Sequence, residues 1–329
     1  MNQQSVATNL LRLVAAFFVV YVHTYHALPE ALTTLGRTAM PLIFALCGFS
    51  LYSEESHLTV YRARKAVRNL TAWYVLSLLL FAGYGWYQCS LTQDYSAFHI
   101  SPDRIFDLIA RCASPILPYG QHLGFLVALT EVFLLYRWSH RAIYHGGRMT
   151  RNVWIGFVAA YYVVTVIAGG YLPVLLHTRA LDIPFAGMLC DAVPFFLTGY
   201  YIAQNKDKLY AVKKWRVMGD LMILYAVQLL EYWIVGDQRG YLSSMPFVFL
   251  VLVYALQCRP TSKAVLAASR LGREYWLPVC IVHPLLMPVL EDVVRPELWA
   301  VAVFVATLAA CVVVKTLYLQ FLKLTGQRI

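Results

Sequence analysis

Residues 153–176 read VWIGFVAAYYVVTVIAGGYLPVLL, a stretch of 24 residues that contains no charged side chain. About 20 mostly apolar residues are enough for a helix to cross the hydrocarbon core of a membrane. Four other stretches are similarly long and apolar, at residues 10–28, 70–88, 215–235 and 298–322. The sequence therefore predicts a protein whose helices cross a membrane several times.

The composition of the whole chain indicates the same class of protein. Of its 329 residues, 60% are apolar or aromatic and only 13% are charged, whereas soluble domains average about 45–50% apolar and about 25% charged residues. A soluble globule of this length has too little interior to bury so much apolar surface. We therefore predict an all-α integral membrane protein, and the composition excludes a disordered chain.

Five shorter or proline-interrupted stretches raise the predicted number of spans to about ten. They lie at residues 38–52, 122–138, 185–204, 241–257 and 275–290. Proline is tolerated inside a spanning helix when neighbouring groups satisfy the carbonyl that it leaves free. Since no repeat, linker or soluble appendage separates these stretches, we predict one bundle of about ten transmembrane helices, which forms a single domain over residues 1–329.

The lysines and arginines follow the alternation that a bundle of ten spans requires. Nineteen of the 27 fall in alternate connecting segments or in the C-terminal tail, and six fall in the segments between them. Cytoplasmic loops carry the excess of basic residues, so both termini are predicted to be cytoplasmic. Since the net charge of +10 is distributed loop by loop, it reflects topology, and we expect no nucleic-acid partner.

Ionisable residues inside the spans are candidates for function, because a charge is costly in hydrocarbon and usually faces a cavity or a partner. The first span contains Arg12 and His23, eleven residues apart. At about 100° and about 1.5 Å per residue, they share one helix face and lie roughly 16 Å apart along the axis. Arg12 alone fits an anchor at the membrane boundary, and His23 alone fits a hydrogen-bonded core histidine. Their shared face favours a functional pair.

These two residues and several later segments resemble one family. Residues 10–25, LLRLVAAFFVVYVHTY, resemble the Arg-x10-His signature in the first helix of the acyltransferase-3 family of bacterial membrane acyltransferases. Residues 41–52, PLIFALCGFSLY, are similar to the family's Phe-x-x-Ser-Gly-Phe pattern, with Cys47 in the place of serine. Further similar segments follow in the family's order: KAVR at 65–68, HLGFL at 122–126, PFFLTG at 194–199 and YWLPVCIVHP at 275–284.

The resemblance implies an activity and a location. Members of the family transfer an acyl group, typically acetyl from acetyl-CoA, to a hydroxyl of a cell-envelope glycan or lipid-linked sugar. The implied protein is a multi-pass enzyme of the bacterial inner membrane. Its expected partners are acyl-CoA from the cytoplasm, the glycan or lipid-linked acceptor and membrane lipids. Acyl-CoA acts as a co-substrate in such a reaction, and we expect neither a bound cofactor nor a metal.

The candidate site residues fit this chemistry. A sugar hydroxyl is a poor nucleophile, and a positioned imidazole is the usual general base near neutral pH. His23 is therefore the predicted base, with direct acylation of its ring as the alternative. Arg12 is predicted to orient the donor or its thioester carbonyl. Lys65 and Arg68 are predicted to bind the donor's phosphates, and a basic anchor at the membrane surface is their alternative.

Five further ionisable residues are assigned to the acceptor side or to a supporting role: Arg37, His122, Asp191, Glu231 and His283. Asp191 or Glu231 is a candidate to hold the His23 ring in the useful tautomer, as carboxylates do in catalytic triads, or to pair with Arg37. His283 precedes a proline, where a structural hydrogen bond is an equally common role.

Two other functions are compatible with this sequence. A polytopic exporter or flippase of a polysaccharide or lipid-linked sugar also contains buried charges, although the paired broken helices typical of transporters are not evident. A metal-dependent lipid enzyme would use His23 and His26 as ligands from one helix face. Such a site needs further clustered ligands, and the other histidines are scattered along the chain.

Overall fold

The computed structural model describes residues 3–24, 30–93, 121–144, 148–178, 188–238, 240–259, 261–291 and 293–324. Every regular element in these ranges is helical. The α-helices are α1 (Gln3–His23), α2 (Glu30–Arg37), α3 (Ala39–Leu51), α4 (Ser56–Thr92), α5 (Gly124–Tyr144), α6 (Arg148–Val166), α7 (Leu172–Leu175), α8 (Met188–Gln204), α9 (Lys206–Tyr210), α10 (Lys214–Val235), α11 (Ser244–Gln257), α12 (Lys263–Glu291) and α13 (Pro296–Leu324). A 3₁₀ turn at Gln121–Leu123 precedes α5, and a π-helical turn at Ile167–Tyr171 joins α6 to α7.

Each of the ten predicted spans coincides over most of its length with helix. Within the described ranges, six helical segments are long and apolar enough to cross a membrane: Ser5–His23, Glu30–Leu51, Ser56–Thr92, Asn152–Leu175, Lys214–Val235 and Pro296–Lys323. The prediction of an all-helical integral membrane protein is therefore confirmed. The number of about ten spans and the cytoplasmic position of both termini stay predictions.

The chain divides into two compact units. The first combines Met1–Ala39 with Ala255–Ile329, and the second comprises Met40–Tyr254. The first unit is thus made by helices from the two ends of the sequence, α1 and α2 with α12 and α13. The single domain over residues 1–329 stays a prediction.

In the first unit, α12 presents a continuous buried stripe to its neighbours. Ser269, Gly272, Tyr275, Val279 and His283 are all buried and follow one another at intervals of three or four residues. This spacing places them on one helix face, and α12 packs with that unit's α1 and α13. Three prolines lie inside α12, where packed neighbours make such interruptions tolerable.

The contacts between α1 and α12 show that the two helices run in the same direction. Gly272 lies against the backbone carbonyl of Asn9, and His283 lies against His23. Moving toward the C-terminus on one helix therefore moves toward the C-terminus on the other. This parallel arrangement keeps α1 beside α12 from the level of Asn9 to that of His23.

In the second unit, two glycines allow α3 and α8 to approach closely. A Cβ atom on Gly48 would collide with the Phe196 carbonyl, and a Cβ atom on Gly199 would collide with the Ala45 carbonyl. Small residues at such crossings let helix backbones pack directly in membrane proteins. Both glycines belong to segments that carry the family resemblance, so packing explains why glycine is needed at these two positions.

Candidate active site

Arg12 occupies the middle of α1 and is held by a residue one turn earlier on the same helix. Its Nη1 atom donates a hydrogen bond of 2.7 Å to Oδ1 of Asn9. Asn9 is only 4% exposed, whereas the Arg12 side chain is half-buried. The guanidinium is therefore anchored at one edge to a buried amide, which limits the rotamers that this long side chain adopts.

Gly272 fixes α12 against α1 at the level of Asn9, the residue that binds Arg12. An ideal Cβ atom at Gly272 would overlap the Asn9 carbonyl oxygen and lie 3.0 Å from the Leu13 Cβ atom. The contact leaves no space for any side chain, and it brings the α12 backbone to the residue that holds Arg12. The position of the guanidinium thus depends on the packing of two helices.

His23 is the last residue of α1 and packs against a second histidine. The ring centroids of His23 and His283 are 5.1 Å apart, and their planes are tilted by 40°. The two rings differ in accessibility, since His23 is exposed and His283 is 0% exposed. The arrangement places an accessible imidazole directly against a buried one.

The buried histidine is oriented by its own helix. Its Nδ1 atom lies 3.1 Å from the carbonyl oxygen of Val279, one turn earlier on α12. Because a carbonyl oxygen only accepts, Nδ1 of His283 carries the proton in this contact, and Nε2 holds the lone pair of the neutral ring. The His283 ring is therefore a fixed surface for His23, and its role at the acceptor side or in support stays a prediction.

Lys65 and Arg68, the predicted donor-binding pair, lie in the second unit on α4, and both side chains are exposed. This helix has 37 residues, which at about 1.5 Å per residue makes it about 55 Å long. The hydrocarbon core is about 30 Å thick, so α4 extends well beyond it. The end of α4 that carries Lys65 and Arg68, its basic end, is accessible to a charged ligand.

Glu231 has a defined structural contact in the second unit. Its Oε2 atom accepts hydrogen bonds from the Ser243 backbone amide at 3.2 Å and from the Ser243 hydroxyl at 2.6 Å. Ser243 immediately precedes α11, so the carboxylate ties the end of α10 to the start of α11. This contact supports the fold of that hairpin.

The remaining predicted site residues are placed as follows. The His122 ring packs edge-on against Phe81, with centroids 4.5 Å apart. Arg37 is the last residue of α2 and is half-buried. Asp191 lies on α8, but its side chain, like the whole of His26, is outside the described residues. The structure thus brings Arg12, His23 and His283 onto one helix pair.

Two residues of this helix pair were missed in the sequence, Asn9 and Gly272. A signal for Asn9 was present, because a polar residue three positions before Arg12 shares its helix face. No local signal marked Gly272, since its role depends on a helix more than 250 residues away in the sequence. In the described part of the chain, no group of three or more His, Cys, Asp or Glu side chains could hold a metal ion.

The helices, together with Arg12 and His23 on α1, define a multi-pass membrane protein with an accessible histidine and an arginine on one helix face. Comparison with protein families adds the chemistry. The family model described as an acyltransferase domain matches residues 6–316, which is nearly the whole chain. The chain therefore belongs to the acyltransferase-3 family, as its motifs indicated. None of the curated proteins and none of the solved structures matches it.

Proposed function

We propose that this protein transfers an acyl group, most simply acetyl from acetyl-CoA, to a hydroxyl of a cell-envelope glycan or lipid-linked sugar. The bacterial inner membrane is the proposed location, with the donor supplied from the cytoplasm. The observation that carries the proposal is the exposed His23 imidazole, packed on the buried His283 ring in a chain of an acyltransferase family.

In the proposed reaction, His23 acts as the general base. It accepts the hydroxyl proton of the acceptor while the hydroxyl oxygen attacks the thioester carbonyl carbon. A carbon–oxygen bond forms, the carbon–sulfur bond breaks, and the thiolate of coenzyme A takes up a proton. The fixed surface of His283 supports this role because it restricts how the His23 ring turns.

Covalent catalysis is the alternative path through the same residue. The His23 ring would attack the thioester first, and the acceptor hydroxyl would then attack the acyl-imidazole. The two paths differ in one observable, because only the second produces an acylated protein in the absence of acceptor. A labelled acyl group that stays on the wild-type chain and is absent from a His23→Gln chain supports the covalent path.

Arg12 is proposed to orient the donor or its thioester carbonyl. About 16 Å along the helix axis separates its backbone position from that of His23. An extended donor such as acyl-CoA can reach from one residue to the other. The hydrogen bond that Arg12 donates to Asn9 supports this role, since a guanidinium with few rotamers loses less entropy on binding.

Lys65 and Arg68 are proposed to bind the phosphates of the donor. Their exposure and their place on the basic end of α4 support the proposal, because phosphate binding requires accessible cations. The prediction that this end of α4 is cytoplasmic agrees with the compartment that contains acyl-CoA.

The test is acyl transfer by the purified protein in lipid nanodiscs. Labelled acetyl-CoA and a lipid-linked sugar extract are supplied, and both the release of coenzyme A and the label in the glycan are measured. We expect release that depends on the acceptor and a mass increase of one acyl group on the glycan. Intact acetyl-CoA together with movement of the sugar across the bilayer would support an exporter and refute the proposal.

A further inference from the structure

A chain of buried and part-buried hydrogen bonds in the second unit connects residues that the proposed reaction does not use. Oγ of Ser56 lies 2.9 Å from Nε2 of His140, and Nδ1 of His140 lies 3.2 Å from the Tyr136 hydroxyl. Tyr136 in turn donates a hydrogen bond of 3.0 Å to the Tyr200 hydroxyl. Tyr136, His140 and Tyr200 are 2%, 7% and 4% exposed.

One neutral tautomer of His140 is compatible with all the bonds of this chain. With the Tyr136 hydroxyl as donor to Tyr200, its oxygen accepts from the Nδ1–H of His140. In the neutral ring Nε2 then holds the lone pair, and it accepts the proton of the Ser56 hydroxyl. With this assignment, both ring nitrogens of His140 take part in a hydrogen bond.

The chain joins three helices at the point where α4 begins. Ser56 is the first residue of α4, His140 and Tyr136 lie one turn apart on α5, and Tyr200 lies on α8. The N-cap position of α4, Glu55, makes no side-chain capping bond. The contact between Ser56 and His140 is thus a bond from the first turn of α4 to a neighbouring helix.

Two further bonds hold the turn that precedes α4. Thr59, which is 0% exposed, accepts a hydrogen bond of 3.1 Å from the Ser53 amide. Arg62 donates one of 2.8 Å to the Tyr52 carbonyl. These bonds fold the turn back onto α4, whereas the bond to His140 attaches α4 to the rest of its unit.

Ser56 and Lys65 lie on opposite sides of α4. Lys65 follows Ser56 by nine residues, which is two and a half turns of helix. Ser56 therefore points toward α5, while Lys65 is exposed on the other side. Because a helix moves as a rigid body over so few turns, a shift of its first turn displaces Lys65 and Arg68 as well.

We propose that His140 is a positioning residue for the acyl donor. By binding Ser56, it holds the first turns of α4 in the position from which Lys65 and Arg68 contact the donor's phosphates. The proposal rests on the proposed function, in which those two side chains bind acyl-CoA. A small displacement of a binding group is costly because the contacts of a bound ligand depend strongly on geometry.

The test compares the kinetics of four variants in nanodiscs. His140→Phe keeps the ring volume and removes both bonds, and Ser56→Ala removes the bond to α4 from the other partner. We expect both to raise the KM for acyl-CoA about tenfold, equivalent to about 1.4 kcal/mol, with kcat and the KM for the acceptor within about twofold of wild type. His140→Gln, which can still donate and accept, is expected to restore most of the donor affinity.

Tyr200→Phe is the matched control, because it removes the far end of the chain and leaves the bond between His140 and Ser56. Its donor KM is expected to stay within about twofold of wild type. The proposal is overturned if all variants lower kcat at unchanged donor KM, or if Tyr200→Phe raises the KM as much as His140→Phe. If His140→Phe does not fold, Ser56→Ala decides, since it deletes one hydroxyl. A wild-type protein that does not use acyl-CoA would instead refute the proposed function.

Discussion

Replacing Gly272 by alanine is expected to separate the two helices that carry the candidate active site. The added Cβ atom would overlap the Asn9 carbonyl oxygen and reach 3.0 Å from the Leu13 Cβ atom. A backbone carbonyl cannot turn aside as the end of a flexible side chain does, so α1 and α12 must move apart. We expect a displacement on the order of 1 Å at this level, because a close-packed contact has no free volume to absorb a methyl group.

The displacement has two measurable consequences. Overpacking of this kind costs about 1–3 kcal/mol of stability, which lowers the unfolding temperature. Misplacement of a binding group by about 1 Å can reduce the rate about 100-fold, and Asn9 with its bonded Arg12 is the group that moves. Acyl transfer from labelled acetyl-CoA by the folded fraction of Gly272→Ala measures the second effect, and thermal unfolding in nanodiscs measures the first.

Gly219→Ala on α10 is the control for this experiment. A Cβ atom at Gly219 meets no atom within 4 Å, and alanine is a better helix former than glycine by about 1 kcal/mol. This variant is expected to retain wild-type activity and at least wild-type stability. If Gly272→Ala also retains activity within about twofold of wild type, the packing of α12 does not position Arg12 and the reasoning is wrong.

Three further predictions concern the proposed reaction and the topology. His23→Gln removes the basic nitrogen but keeps hydrogen bonding, so turnover in the glycan acylation assay should fall about 10²–10⁴-fold while donor binding survives; near-normal turnover would exclude His23 from catalysis. Lys65→Ala combined with Arg68→Ala should reduce the binding free energy of acetyl-CoA by on the order of 1–3 kcal/mol for each lost phosphate contact, measured as weaker binding by a folded protein. An unchanged affinity would show that these two residues act as a membrane anchor and do not bind the donor. Tag fusions at Asp207 and Tyr95 should report the cytoplasm and the outer side, and a common compartment would contradict the alternation of basic loops.

Much of the fold was predictable because it depends on local properties of the chain. Long apolar stretches reflect the free energy of transferring side chains into hydrocarbon, and they require no knowledge of helix packing. The acceptor-side or supporting role of Glu231 stays a prediction. What the structure adds is that its carboxylate binds Ser243, which immediately precedes α11, a contact for which the sequence contains no local signal.

The amino-acid sequence alone predicts an all-helical membrane protein of an acyltransferase family, and it places Arg12 and His23 on one helix face. Helical periodicity relates residues eleven positions apart, so this pairing needs no tertiary information. Three contacts are visible only in the folded protein: His283 packs on His23, Gly272 lies against Asn9 and His140 binds the first turn of α4. These partners lie 84 to 263 positions apart in the sequence, and such contacts depend on which helices pack together, a choice made by the shapes of whole helix faces.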